Sequence, residues 1–201
     1  MHEPVFLKSL LTGLGRGRRY KDTGAELLAH PSKAFRKLVG SAENPLEPLL
    51  IKRDQSNTSV AYGDRLMFKL FRRVREGLNP DVEIGRFLTE LEFAHVPPMA
   101  GHLELRKGRV EPATIGILQG LVANEGDAWR YTQDSLGYYF EEVLTRKVEV
   151  GAASLPNRSP VELAQHEAPD LAKELMGTYL GSACLLGQRT GEMHVALASD
   201  S

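Results

Sequence analysis

Gln55-Ser56-Asn57-Thr58-Ser59-Val60-Ala61-Tyr62-Gly63-Asp64-Arg65-Leu66-Met67-Phe68-Lys69-Leu70-Phe71 is the stretch whose reading decides the fold. Gln55 to Ser59 is a polar turn without glycine, and Val60, Ala61 and Tyr62 resume a strand. Gly63-Asp64 is a compact hairpin turn signal. From Leu66 to Phe71 the period is two, with Leu66, Phe68 and Leu70 on one face and Met67, Lys69 and Phe71 on the other. Leu49, Leu50 and Ile51 supply an earlier strand, so the three form an antiparallel meander. A lysine in the middle of an apolar strand costs free energy unless it is paired or solvated. Lys69 is therefore the first residue whose chemistry needs explaining.

Downstream, Gly77, Asn79 and Pro80 break the chain, and Asn79 or Asp81 is placed to cap a helix. That helix runs to about Phe93, with Ile84, Phe87, Leu88 and Leu91 as its apolar stripe and Asp81 and Glu83 in its first turn. After Pro97-Pro98, two more strands are expected, Leu103 to Arg106 and Ala113 to Leu121, joined by a turn near Gly108. The count is five strands and one helix. Upstream, Val5 to Leu14 has helical spacing, Glu26–Ala29 and Phe35–Val39 form short elements, and Ser41 to Pro45 is a linker. Towards the C-terminus, Asp127 to Arg146 reads as one helix, with Trp129, Leu136, Tyr139, Phe140, Val143 and Leu144 available for a core. Trp129 and Tyr131 are expected to pack in that core, although aromatic residues there could also line a sugar site. Val148 to Pro169 reads as a loop. Asp170 to Ala198 reads as one long helix weakened by Gly177, Gly181, Gly187 and Gly191. The fold class is α+β.

Composition narrows the partners. The 201 residues carry a formal net charge of -1, which gives no global attraction to nucleic acid or to an anionic membrane. No apolar run is long enough to span a bilayer, and the N-terminus lacks the pattern of a signal peptide. A cytoplasmic protein is the default expectation. The one cysteine, Cys184, cannot form an internal disulfide, and its apolar neighbours suggest a small core residue in a reducing compartment. The basic run Arg16, Arg18, Arg19 and Lys21 reads as a solvated segment, as do Arg72 and Arg73 at their strand end. The six histidines show no metal-ligand spacing, so no metal site is expected from them.

Strand, polar turn, strand, lysine on a third strand and acid on the next helix is an order with a chemical purpose. Nucleotide phosphates carry several negative charges, so a cation must reach them from a rigid strand and a carboxylate must hold that cation extended. Lys69 would be the cation. Glu83, fourteen residues later, is the first choice of partner, and Glu90 the second. Backbone N–H groups of Gln55 to Ser59, with the hydroxyls of Ser56, Thr58 and Ser59, could cradle phosphate oxygens.

The strings Gln55-Ser56-Asn57-Thr58-Ser59-Val60, Gly63-Asp64-Arg65-Leu66 and Lys69-Leu70-Phe71-Arg72-Arg73 closely resemble the bacterial maltokinase family. So do Asn79-Pro80-Asp81-Val82-Glu83-Ile84-Gly85-Arg86-Phe87-Leu88, His95-Val96-Pro97-Pro98, Leu118-Gln119-Gly120-Leu121-Val122, Gly126-Asp127-Ala128-Trp129, and the segment from Leu185 to His194. The match is strongest to the maltokinase segment fused behind trehalose synthase in many bacteria, and Phe6-Leu7-Lys8 and Arg18-Arg19 also resemble the start of that fused form. The resemblance covers nearly the whole chain.

This resemblance implies an N-terminal cap over residues 1–46, a kinase-like N-lobe over 47–125 and the start of a helical C-lobe over 126–201, related to aminoglycoside phosphotransferases. It implies ATP and Mg2+ as cofactors, maltose as acceptor and maltose 1-phosphate as product, with trehalose synthase as a fused or associated partner. Nucleotide contacts would come from Gln55, Ser56, Asn57, Thr58, Ser59, Lys69 and Glu83, and from the hinge Gln119, Gly120, Leu121 and Val122. The family's catalytic base, in a His-Gly-Asp type loop, and its acidic magnesium motif have no counterpart in these 201 residues. Glu192 and His194 read as structural. The expectation is thus the ATP-binding front part of such an enzyme, inactive alone. Two alternatives stand beside it: a non-catalytic interaction module for a trehalose synthase partner, and another kinase-like enzyme acting on an aminoglycoside or a choline-type alcohol.

Overall fold

The computed structural model describes residues 3–40, 46–51, 57–146 and 158–200. Two compact units emerge, Met1–Ala123 with Met193–Ser201, and Asn124–Glu192. The first is built on one antiparallel sheet of seven strands: β1 (Arg19–Asp22), β2 (Ala25–Pro31), β3 (Pro48–Ile51), β4 (Asn57–Tyr62), β5 (Leu66–Phe71), β6 (Met99–Lys107) and β7 (Ala113–Gly120). Their spatial order is β1-β2-β6-β7-β5-β4-β3. The helices of this unit are α1 (Pro4–Gly15), α2 (Phe35–Val39) and α3 (Pro80–Glu90). The α+β class is the one expected.

The sheet has two more strands than the five expected. Residues 19–31 form a hairpin, and its second strand pairs with β6 from Ala25↔Lys107 to Pro31↔Gly101. Gly101 permits this: a Cβ there would sit 2.6 Å from the His30 carbonyl oxygen. β6 is also longer than expected, because register shifts at Met99/Gly101 and Leu103/Glu104 interrupt the simple alternation. The turn expected over Gln55–Ser59 is only partly described. Gln55 and Ser56 lie outside the described residues, while Asn57, Thr58 and Ser59 belong to β4, paired with Phe71, Leu70 and Lys69. The ladder to β5 extends over the polar residues because it satisfies their backbone groups.

The two faces of β5 follow its alternation. Leu66, Phe68 and Leu70 face a core with Leu7 and Leu14 of α1, Val60, Tyr62, Leu103 and Leu118. The opposite face carries Ile117 of β7 and Met99 of β6, packed with Val82 of α3 and with Phe71. Sequence dictates where α3 starts: the Asn79 side chain accepts from the N–H groups of Asp81 at 2.9 Å and Val82 at 3.4 Å, and Pro80 fills the first turn.

The second unit contains α4 (Ala128–Thr145), α5 (Pro160–Leu163), α6 (Asp170–Met176) and most of α7 (Thr178–Leu197). The single helix expected from Asp170 to Ala198 is broken at Gly177, whose φ of 53° and ψ of −132° lie where residues with a Cβ are strained. Within the expected loop, Ser159 and Glu162 form a capping box that starts α5; residues 147–157 lie outside the described residues. None of the described residues of this unit is buried. Trp129 is 73% exposed and Leu144 77%, so the core expected along α4 is not formed here. Cys184, expected in a core, is exposed on α7 for the same reason.

Candidate functional site

Lys69 sits mid-strand on β5, between β4 and β7, opposite Ser59 on one side and Ile117 on the other. Directly opposed residues of antiparallel strands share a face. Ser59, Lys69 and Ile117 therefore line one row, with His102 of β6 and His30 of β2 continuing it. This is the α3 face, since Ile117 packs on Val82. The sheet core on the other side fixes Lys69 outward from it, half-buried, with Met67 and Phe71 as its neighbours on the strand.

Glu83, the expected partner, makes no ion pair with Lys69 within 4.0 Å. Val82 is the residue that α3 turns to the sheet, and Glu83, one step around the helix, is exposed. Glu90 instead approaches Arg86, at 3.9 Å. Among the described residues Lys69 makes no ion pair within 4.0 Å. The phosphate-cradling residues divide as the strand alternates: Ser59 is buried on Lys69's face and Asn57 shares that face, whereas Thr58, opposite Leu70, is on the other.

At the end of β7, Gln119 is opposite Met67 and so lies on the same face as Lys69. The next two N–H groups are occupied: Gly120 donates to the Pro98 carbonyl at 2.8 Å and Leu121 to the Arg65 carbonyl at 2.7 Å. Arg65 is itself held by a 2.6 Å hydrogen bond from its guanidinium to the Val39 carbonyl. The segment is thus tied to the residue preceding β6 and to the turn between β4 and β5. Val122 is exposed, and the first unit's continuous stretch closes at Ala123. Together Lys69, Ser59, Asn57 and Gln119 offer an ammonium group, a hydroxyl and two side-chain amides beside a backbone exit. That arrangement can bind an anionic ligand; among these residues it holds no general base.

Sequence reasoning missed a second polar cluster on this face. His30 and His102, direct cross-strand partners, stack with ring centroids 4.7 Å apart and planes 13° from parallel. Glu104 lies beside them, its Oε1 3.9 Å from His30 Nε2, and Arg106 Nε donates to the same oxygen at 2.7 Å. Burial holds the His102 imidazole down to about 4, reinforced by His30 and Arg86 and opposed by Glu104. The two histidines are far apart in the chain, and only the β2–β6 register brings them together. The second unit has its own open groove of about 340 Å3, lined by residues such as Tyr138, Glu142, Arg146 and Glu174.

No family model matches the chain. Solved structures do. A glucosamine kinase in complex with glucosamine, ADP and inorganic phosphate superposes with a TM-score of 0.52 at 20% identity, over 97% of this chain and 36% of that one. A second crystal of glucosamine kinase gives 0.53 at 19% identity, over 96% of this chain and 35% of that one. The chain therefore has a kinase-like fold and spans about a third of the length of the solved kinases it matches.

Proposed function

We propose that this chain is the ATP-binding portion of a sugar kinase, with maltose as acceptor and maltose 1-phosphate as product. The observation that carries the reading is the position of Lys69: mid-strand in the sheet, half-buried, on the face covered by α3, in line with Ser59 and one strand from the end of β7. An ammonium group at that place in a kinase-like fold suits the phosphates of a nucleotide. Lys69 would contact phosphate oxygens, Asn57 and Ser59 would flank them with Gln55 and Ser56, and Gln119 to Val122 would meet the adenine. Since the Gly120 and Leu121 N–H groups are occupied, the adenine contact would use carbonyl groups of this segment. Glu83, exposed in the first turn of α3, would serve as the acidic partner of Lys69 when nucleotide is bound. The glucosamine kinase carrying ADP supports nucleotide as the ligand class, and the sequence resemblance supports maltose over other acceptors. The base and the magnesium ligands would come from residues beyond these 201, and trehalose synthase would be the fused or associated partner in the cytoplasm.

Titration of the whole chain with ADP and Mg2+ by calorimetry tests this. Saturable binding that weakens about tenfold or more in Lys69→Ala is expected, in line with a charge-assisted phosphate contact. Binding indifferent to Lys69, or none at millimolar nucleotide, would count against it. The second reading, a non-catalytic interaction module, is favoured by the exposed apolar residues of α4 and α7, among them Trp129, Phe140 and Leu186. It predicts no nucleotide response.

A further inference from the structure

We propose that His30, His102 and Glu104 form a binding site for a first-row divalent transition-metal ion, with zinc as the reference ion, that ties the N-terminal hairpin to the central sheet. One donor atom from each residue can be chosen so that all three lie within 4.8 Å of one another. A tetrahedral zinc ion, bound at about 2.0–2.1 Å, places its donors roughly 3.3 Å apart. The His30–Glu104 distance of 3.9 Å is close to that already. The widest pair would have to close by up to about 1.5 Å, a change on the scale of side-chain rotation.

Two features favour a cation over a merely packed pair of rings. His30 Nε2 is buried from solvent with no hydrogen-bond partner, although a carboxylate oxygen faces it. An unpartnered buried nitrogen is costly, and coordination removes the cost. Glu104 is oriented by the Arg106 hydrogen bond, the kind of outer contact that fixes a ligating carboxylate. Two imidazoles with one carboxylate select zinc and its neighbours over magnesium, which prefers all-oxygen surroundings. The guanidinium groups of Arg86 and Arg106 oppose a dication, so the affinity should be below that of a closed structural zinc site.

The site shares the sheet face of the nucleotide contacts proposed above but is displaced along it. His102 lies two strands from Lys69 along the same row, on the order of 10 Å away at the usual strand spacing. Its effect is structural: β2 contributes His30 and β6 contributes His102 and Glu104, so the metal would clamp these strands.

The test uses the whole chain stripped with a chelator and titrated with ZnCl2, with MgCl2 as the contrast. One equivalent of zinc is expected, with no magnesium binding. X-ray absorption of the zinc-loaded wild type should show two imidazoles and oxygen donors. His30→Gln and Glu104→Gln should each weaken zinc at least tenfold and lose the rise in Tm that zinc gives the wild type. Absence of a zinc equivalent would overturn the proposal. So would an absorption spectrum with fewer than two imidazoles, or unchanged affinity in a folded His30→Gln variant. Should a variant fail to fold, the wild-type spectrum decides alone.

Discussion

Tyr62→Phe removes a single oxygen from the core, and its cost can be worked from the structure. Tyr62 is 1% exposed, and its hydroxyl donates to the Leu7 carbonyl on α1 at 2.9 Å. Losing a buried hydrogen bond while its acceptor stays buried costs about 1–2 kcal/mol. For a chain of this size that lowers Tm by roughly 2–8 °C. Hydrogen exchange of the α1 and β4 amides is the right assay, because it isolates the first unit from the exposed helices of the second. The same residue predicts an alkaline response. Burial pushes the Tyr62 phenol far above its ordinary value of 10. A raised folded-state value means that its stabilisation is fully present below pH 10 and is lost as pH rises beyond it, since the unfolded chain ionises first. The wild type should therefore lose its advantage over Tyr62→Phe above pH 10. A difference of zero at pH 7, or one that stays constant from pH 7 to 11, would refute the role given to this hydroxyl.

Two further substitutions probe the backbone. Gly101→Ala would put a Cβ 2.6 Å from the His30 carbonyl oxygen and 3.1 Å from Pro31 Cα, so β2 must move off β6. A cost of about 1–3 kcal/mol is expected, seen as faster exchange of β2 amides than of β4 or β5 amides. Gly177→Ala meets open space but strains the backbone, and the second unit should lose about 1–2 kcal/mol in urea unfolding monitored by Trp129 fluorescence.

Local chemistry was legible where it obeyed a short period. The alternation of Leu66 to Phe71 assigned both faces of β5 correctly, and the Asn79-Pro80-Asp81 run located the start of α3. What escaped reading depended on partners distant in the chain. Glu26–Ala29 shows no sign of pairing with β6, because the register is set by Gly101, far downstream. The same pairing assembles His30 with His102, which no spacing motif could reveal. The Lys69–Glu83 partnership was inferred from order alone. Helix phase, which order does not show, puts Val82 against the sheet and leaves Glu83 exposed, without an ion pair to Lys69. The expected core of α4 failed for a different reason, since an apolar stripe shows that a face could be buried but does not supply the surface that buries it.

The central claim is that a nucleotide binds against the Lys69 face of the sheet. Titration of the isotope-labelled whole chain with ADP and Mg2+, followed residue by residue in amide and lysine side-chain NMR spectra, tests it most directly. The largest changes should cluster at Asn57–Ser59, Lys69 and Gln119–Val122, with α1 and β1 unmoved. Changes confined to the second unit, or to the basic hairpin around Arg19 and Lys21, would place the ligand elsewhere and contradict the claim.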